Sequence, residues 1–441
     1  MTLHLSPLVI IFTILCTAYA AFLSHSALAV FNDGVRPFLL DFHRGEMTRS
    51  QMTAIAFGLS AGFIFGLGVP IALSSGVLNP WILFLPSDIL GILAPKKWLA
   101  PILGAAWGAV LVFGLNAATT AVNGLPVNFL TAMQQMSTPI LYLFAFFPVV
   151  AIAMQFSRLR TVIAFLVTLL VMLIDMKWLP AVTPSALALA AGMIMLVIFA
   201  VIEEIKNRTT AQADDGEPVS EEEIAAKNET ESIFAANAAR LRKNIPWFML
   251  MGLLLGVLIN THMLGGGEAT SYILAKGQYA NAAQVDFYRA LGFIPLIVTT
   301  AVASGAYQIV GATLIYPIAY LLPNPILAAI AGALLFGVEV LVLSYVAKGL
   351  GSLRSIRDAS DNIRNAINVT LEVAILFGSL AAGNAMGAGV GIAIVGGIYA
   401  LNEVLGRPVV RMASGPVGVI IAGILLNILA YAHLFTPIAV K

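Results

Sequence analysis

The chain has little of what most enzymes and secreted proteins rely on. Its single cysteine, Cys16, excludes an intrachain disulfide framework. Only 10% of its 441 residues are charged and the net charge is +1, so the charge pattern gives no reason to expect a nucleic-acid partner. No G-x-x-x-x-G-K-[ST] loop is present, so the chain does not itself drive a process with ATP.

Histidines with metal-ligand spacing are also missing. The five histidines are scattered, and neither H-E-x-x-H nor another ligand pattern occurs. We expect no metal, no cofactor and no catalytic centre, so the protein is not expected to be an enzyme.

Apolar residues are what the sequence has in abundance. They make up 60% of the chain, and the mean hydropathy of +0.94 is too high for an ordinary water-soluble globule. A lipid bilayer is the solvent that this composition indicates. The apolar stretch 1–30 lacks a basic leader and continues into 32–37, so we interpret it as a first spanning helix and not as a cleaved signal.

About fourteen apolar segments are candidates for membrane spans, since a spanning helix needs about 20 residues unless neighbours shield it. They are predicted near residues 5–30, 53–74, 77–94, 98–122, 138–156, 159–180, 183–205, 244–264, 289–303, 305–322, 326–347, 365–383, 384–401 and 414–435. The sequence thus predicts an all-α polytopic membrane protein.

The basic residues indicate how these spans are oriented, because short cytoplasmic loops retain Lys and Arg. With the N-terminus in the periplasm, all but four of the 23 Lys and Arg residues fall on the cytoplasmic side. The four exceptions are Lys177, Lys276, Arg289 and Lys441. We therefore expect a multi-pass protein of a bacterial inner membrane.

A polar, acidic segment divides the chain. Residues 206–243 read as a cytoplasmic linker between a first transmembrane repeat, 1–205, and a second, 244–441. A regulatory docking role for the linker is the alternative to a solvated tether. Seven predicted spans on each side would give the halves opposite orientations, which is the inverted-repeat plan of many secondary transporters.

A faint internal repeat supports this division. A shift of 237 residues aligns His25 with His262 and Pro80 with Pro317. The third element of each half, 77–94 and 305–322, is short and contains prolines. Such broken elements indicate a central site, and whether they cross the membrane or re-enter stays open.

Polar residues inside the spans are the candidates for function, since a buried carboxylate needs a partner, a proton or a water path. Asp361, Asn365, Asn368 and Glu372 share one helical face, which indicates a solute or proton path or, alternatively, hydrogen bonds between helices. Glu339 lies among apolar residues and is predicted to carry a coupling proton or to form a salt bridge with a partner such as Arg364.

We assign provisional roles to these residues. The predicted substrate-binding residues are Asn79, Ser87, Asp88, Asn324, Asn365 and Asn368. The predicted ion-coupling residues are Glu339, Glu372 and Asp361, and the predicted structural or gating residues are Glu403, Arg407 and Arg364. Asp88 could equally cap a helical turn, and Glu403 and Arg407 are spaced to form an ion pair on a helix.

Several of these segments also resemble a known family. The matching segments are FNDGVRP at 31–37, AFGLS at 56–60, LFLPSDILG at 83–91, RALGFIPL at 289–296, ASDNIRNA at 359–366, LNE at 401–403 and GRP at 406–408. By these segments the chain resembles the YhfT family of bacterial inner-membrane proteins, over nearly its whole length. The resemblance implies transport as the expected activity of a family without an assigned function, and it carries over no substrate.

The expected function is therefore secondary transport of a small polar or anionic metabolite, coupled to protons or sodium, by alternating access that can include an elevator movement. The alternatives are the membrane domain of a phosphotransferase-type sugar transporter and a membrane-embedded enzyme. The seven-plus-seven plan also looks like the fold of the nucleobase and sulfate permeases, without shared motifs. A homodimer is expected by that analogy, and the other expected partners are the solute and the lipid bilayer.

Overall fold

The fold is almost entirely helical. The computed structural model describes residues 5–36, 38–39, 42, 45–178, 184–213, 235–350 and 354–438. Within these ranges, eight helices are long and apolar enough to cross a membrane, or nine if a pair bent by 59° is one span. The chain is a multi-pass α-helical membrane protein.

The helices and strands are numbered in chain order. The helices are α1 Pro7–His25, α2 Arg49–Phe63, α3 Val69–Ser75, α4 Pro80–Leu93, α5 Leu99–Asn123, α6 Phe129–Gln134, α7 Ser137–Phe144, α8 Phe147–Gln155, α9 Arg158–Trp178, α10 Pro184–Ala213, α11 Ala235–Lys243, α12 Ile245–Asn260, α13 Glu268–Ala275, α14 Tyr279–Ser304, α15 Ile315–Leu321, α16 Pro325–Leu350, α17 Arg354–Val404 and α18 Arg411–Tyr431. The strands are β1 Ala29–Val30 and β2 Tyr307–Gln308. A π-helical turn, Ile64–Gly68, joins α2 to α3.

Local sequence signals determine where several helices begin and end. Helix α4 begins at Pro80, with Asn79 as its N-cap: the Asn79 side chain accepts from Ile82 N. A capping box of Thr48 and Gln51 starts α2. These caps satisfy amide groups that would otherwise lack partners at helix ends.

Helix α17 is a helical hairpin, in agreement with the two separate spans predicted at 365–383 and 384–401. Gly387 and Ala388 leave the helical conformation. A Cβ on Gly391 would lie 1.8 Å from the carbonyl oxygen of Gly383, so the chain folds back on itself at this point. Glycine is required there because the two backbones touch.

The same order of elements occurs twice. In the first run, α1 is followed by β1, the α2–α3 helix, an extended segment at Leu78, α4 and α5. In the second run, α12 is followed by an extended segment at Leu264, α14, β2, α15 and α16, with α13 inserted before α14. Each opening helix packs on the closing helix of its own run, α1 on α5 and α12 on α16.

The extended segments of the two runs pair with each other. Ala29 is paired with Tyr307 in the parallel β1–β2 pair, and Leu78 forms a parallel bridge with Leu264. Leu78 N donates to Met263 O, and Gly265 N donates to Leu78 O, both at 2.9 Å. These bonds satisfy backbone groups at four interruptions that lipid alone would leave unpaired.

Two helix bundles build the core. The larger one contains α1, α4, α5, α12, α15 and α16, which share one hydrophobic cluster. The other contains α6, α7, α17 and α18 around a second cluster, with α8, α9 and α10 packed beside it.

The predicted boundaries need some adjustment. Helix α10 continues to Ala213, beyond the predicted end at 205, and α11 lies inside the predicted linker. Residues 214–234 of that linker lie outside the described residues. In the predicted element 77–94, the interruption precedes Pro80, while Pro86 lies inside a continuous helix, α4.

Candidate functional site

A cavity of about 400 Å³ lies between the two bundles. One side is formed by residues that follow β1, by the start of α4 and by residues around β2. The other side is formed by α7, α10 and α17. The cavity therefore lies where the paired interruptions of the two runs meet the second bundle.

Aromatic and aliphatic side chains form most of its wall. The aromatic residues are Phe31, Phe38, Phe63, Trp81, Phe144, Phe293 and Tyr316. A largely apolar pocket with a few polar groups is the usual form of a small-molecule site.

At the polar end of the cavity, the lining residues Thr270 and Arg289 are both bonded to a buried carboxylate behind them, Asp286. Its Oδ1 accepts from Arg289 Nε at 2.9 Å and from Thr270 Oγ1 at 3.1 Å, and its Oδ2 accepts from Tyr320 Oη at 3.0 Å. Glu268, the first residue of α13, lines the cavity beside this group and interacts electrostatically with Arg289. This cluster joins α13, α14 and α15.

The run of glycines before Glu268 makes room for the cluster. A Cβ on Gly266 would lie 2.3 Å from Asp286 Oδ2 and 2.4 Å from Arg289 Nη2. Gly266 N also donates to Tyr320 Oη at 2.9 Å. Only glycine lets the backbone approach the charged pair this closely.

Three buried polar atoms at the cavity have no hydrogen-bond partner among the residues that the structure describes. They are Arg289 Nη2, Thr313 Oγ1 and Tyr316 Oη. Because an unpaired buried polar group is costly, each needs water or a bound molecule. All three can donate, so they suit a ligand that carries acceptor oxygens.

Two predicted carboxylates form a second layer behind the cavity. Asp88 Oδ2 accepts from Phe31 N at 2.7 Å, and its Oδ1 accepts from Ser24 Oγ at 2.6 Å. Glu339 Oε2 accepts from Tyr307 Oη at 2.5 Å and from Ala312 N at 2.9 Å. Asp88 thus holds the chain after β1, and Glu339 holds β2 and the chain after it.

The remaining predicted binding residues have separate positions. Asn368 lines the cavity. Asn79 caps α4, and its Nδ2 donates to Gly68 O at 2.8 Å, while Ser87 donates to Leu83 O at 2.7 Å within the same helix. Exposed Asn324 accepts from Leu327 N at the start of α16. Asn365 is exposed and does not line the cavity.

The predicted coupling and gating residues on α17 and in the turn after it lie elsewhere. Glu372 forms an ion pair with Arg411 at 3.5 Å, and Glu403 pairs with both Arg411 and Arg407. The Glu403–Arg407 contact was predicted, but it forms across the turn that follows α17, not on a helix. The side chains of Asp361 and Arg364 lie outside the described residues.

Comparison with known proteins agrees with the sequence segments quoted above. A family model named YhfT, described as a protein of unknown function, matches residues 9–435. The chain belongs to the YhfT family. The uncharacterized protein YhfT of Escherichia coli strain K12 is 39% identical over 433 residues, which cover 96% of this chain and 97% of that protein. No solved structure matches the chain.

Sequence reasoning did not find the cluster of Asp286, Glu268 and Arg289. The count of basic residues predicted a periplasmic position for Arg289 and did not predict that it lines the cavity. The same count placed Arg36 in a cytoplasmic loop, but it is fully buried, donates to Thr300 Oγ1 at 2.6 Å and pairs with Asp33. Asp286 and Arg289 are three residues apart in the sequence, and this spacing could have revealed their ion pair.

Proposed function

We propose that this protein is a secondary transporter that moves a small polar or anionic metabolite across the membrane by alternating access, with the central cavity as its solute site. The observation that carries the proposal is that three residues lining the cavity, Arg289, Thr313 and Tyr316, each have a buried donor atom without a partner among the described residues. A solute with a carboxylate or carbonyl group would satisfy them, while its apolar part contacts the aromatic wall.

The arrangement of elements supports alternating access. The two similar runs of elements are consistent with halves of opposite orientation, and their interruptions pair at the centre. The cavity lies between two bundles with separate hydrophobic clusters. Relative movement of these bundles, including an elevator movement, would open the cavity first to one side and then to the other.

The charges at the polar end favour coupling to a proton. Asp286 and Glu268 face one guanidinium, Arg289. With both carboxyl groups ionised, the cluster has one net negative charge and repels an anion; a proton on either group makes it neutral. Of the acidic residues described, these two are therefore better placed for coupling than Glu339 or Glu372, and sodium is the alternative ion.

The lone cysteine makes a direct test of access possible. In a Cys16→Ser background, Ser185→Cys and Ser344→Cys place one thiol each at positions that are both 7% exposed, and only Ser185 lines the cavity. Labelling is measured with a membrane-impermeant maleimide in intact cells and in inverted vesicles. We expect Ser185→Cys to react from at least one side and Ser344→Cys to stay unlabelled on both.

The coupling mode has its own test. Purified protein is screened against metabolites by thermal shift, and the affinity of the best ligand is measured at several pH values. For an anionic ligand, wild type should bind more weakly as the pH rises, and Glu268→Gln should reduce this dependence. Equal labelling of the two cysteine variants would contradict the cavity as the solute site, whereas an unchanged pH dependence would contradict only the coupling assignment.

A further inference from the structure

A second concave site, separate from the central cavity, is rich in basic residues. It has a volume of about 710 Å³ and lies where four chain segments meet: the end of α1, the start of α2, the connection from α4 to α5, and α11. Its basic residues are His25, Arg49, Lys97, Arg240 and Lys243. All of these residues except Arg240 lie within two residues of a helix end, so the site is at one boundary of the spanning region.

No acidic residue lines this basic site in the part of the chain that the structure describes. Two of the cations also contact main-chain carbonyl groups: Arg49 Nη1 donates to Ile92 O at 2.6 Å, and Arg240 Nη2 donates to Ala27 O at 2.9 Å. The carbonyl group of Ile92 orients Arg49 without neutralising it. Arg49, Lys97 and Lys243 alone bring three formal positive charges to one concavity, and these repel one another unless an anion is bound.

The other lining residues suit an anion that has both polar and apolar parts. Ser26 Oγ is buried, lines the site and has no hydrogen-bond partner among the described residues, so it can donate to an anion oxygen. Lys97 Nζ lies 5.1 Å from the ring centre of Phe22, which is 5.5 Å from the ring of Trp247. An exposed tryptophan at a membrane boundary is typical of contact with lipid headgroups.

We propose that this basic site binds a phosphate group, with the anionic headgroup of a phospholipid or a soluble phosphate ester as its source. Phosphate offers several acceptor oxygens to lysine, arginine and hydroxyl donors, which a single carboxylate cannot match. Basic pockets between helices at a membrane face bind anionic lipid headgroups in other proteins. Helix α11 leads into α12 of the second half, and its Arg240 contacts Ala27, which follows α1 of the first half. A phosphate bound at this site would therefore join the two halves of the chain.

The test compares two variants with the same change in charge. Lys97→Gln with Lys243→Gln removes two cations of the site, while Lys96→Gln with Arg242→Gln removes the exposed residues beside them, which do not line it. Full-length protein in a non-ionic detergent is titrated with phosphatidylglycerol, phosphatidylcholine or glycerol phosphate, and the apparent Tm is followed. Lys97→Gln alone is included in case the double variant does not fold.

We expect phosphatidylglycerol to stabilise wild type and the control variant at similar concentrations. For the variant of Lys97 and Lys243, the midpoint of this titration should rise about tenfold or more, with a smaller rise for Lys97→Gln alone. If glycerol phosphate reproduces the effect, the source is a soluble ester; if only the lipid acts, the source is the membrane. An equal response of the two double variants, or no preference for either anionic probe over zwitterionic phosphatidylcholine, overturns the proposal.

Discussion

Arg289 Nε donates to Asp286 Oδ1 at 2.9 Å; Arg289 lines the central cavity, and Asp286 lies behind it. The Asp286 side chain is fully buried, and the Arg289 side chain is 16% exposed. Removing one partner of a buried ion pair leaves the other charge uncompensated, whereas removing both avoids that penalty. The pair is therefore a sensitive point for both stability and binding.

For this pair we expect strong coupling in a double-mutant cycle. Arg289→Gln and Asp286→Asn should each lower the free energy of unfolding by about 3–5 kcal/mol. The combined variant should be more stable than the sum of the single effects predicts, by at least about 1 kcal/mol. Apparent stability in detergent is the measurement, and additive effects would show that the two side chains do not act as a pair.

Gly266 gives a second prediction about the same cluster. A methyl group at Gly266 would displace both Asp286 Oδ2 and Arg289 Nη2, so Gly266→Ala should lower the stability by about 1–3 kcal/mol. Gly58→Ala is the control, because it lies in α2 and a Cβ there meets nothing within 4 Å. The control should be neutral or slightly stabilising, since alanine favours a helix. Equal thermal stability of the two variants would contradict the close packing at Gly266.

Asp88 is predicted to act on structure and not on the solute directly. Its carboxylate accepts from Ser24 Oγ, Phe31 N and Asn32 N, and the amide of Asp88→Asn would turn an NH₂ group toward one of these donors. We expect a loss of about 1–3 kcal/mol in stability. Glu46→Gln, an exposed carboxyl-to-amide change, is the control and should have little effect.

A ligand found by the thermal-shift screen can then show whether Asp88 positions the chain after β1 or contacts the solute directly. Asp88→Asn should weaken its binding only as far as the chain after β1 is displaced, so the affinity should change less than in Arg289→Gln. A larger loss of affinity for Asp88→Asn than for Arg289→Gln, measured by equilibrium titration at 25 °C, would place Asp88 in direct contact with the solute.

Much of the fold could be predicted from the sequence, because lipid requires backbone bonds to be satisfied within each span. The predicted segments 98–122 and 159–180 coincide closely with α5 and α9. The predicted elements 77–94 and 305–322 do contain short helices, α4 and α15, each preceded by extended residues. The interruption itself was misplaced, because Pro86 is accommodated inside α4 while the extended residues before Pro80 pair with another segment.

The candidate site was harder to predict, since it depends on contacts between distant segments. Asp286, Glu268 and Tyr320 meet because the segment that leads into α13 contacts α15, through Tyr320 Oη with Leu264 O and Gly266 N. No helical periodicity contains that information. The face shared by Asn368 and Glu372 was visible, but periodicity could not show that Asn368 lines the cavity while Glu372 pairs with Arg411.

The two tyrosines of α15 allow the cavity to be tested without changing a charge. Tyr316 lines the cavity and its buried Oη has no partner among the described residues, whereas Tyr320 Oη contacts Asp286, Gly266 N and Leu264 O. Tyr316→Phe removes an unsatisfied group, so the unliganded protein should keep its stability within about 0.5 kcal/mol. Tyr320→Phe leaves several buried groups unpaired and should cost about 1–3 kcal/mol.

Solute binding, in contrast to stability, should depend on the hydroxyl group of Tyr316. Tyr316→Phe should lower the affinity for an acceptor-bearing ligand about 3- to 10-fold, because one donor to the ligand is lost. The measurement is an equilibrium titration of both variants and wild type, with the apparent Tm of each unliganded protein recorded first. If Tyr316→Phe loses stability and keeps its affinity, the hydroxyl serves the fold, and the assignment of this cavity wall to solute binding is wrong.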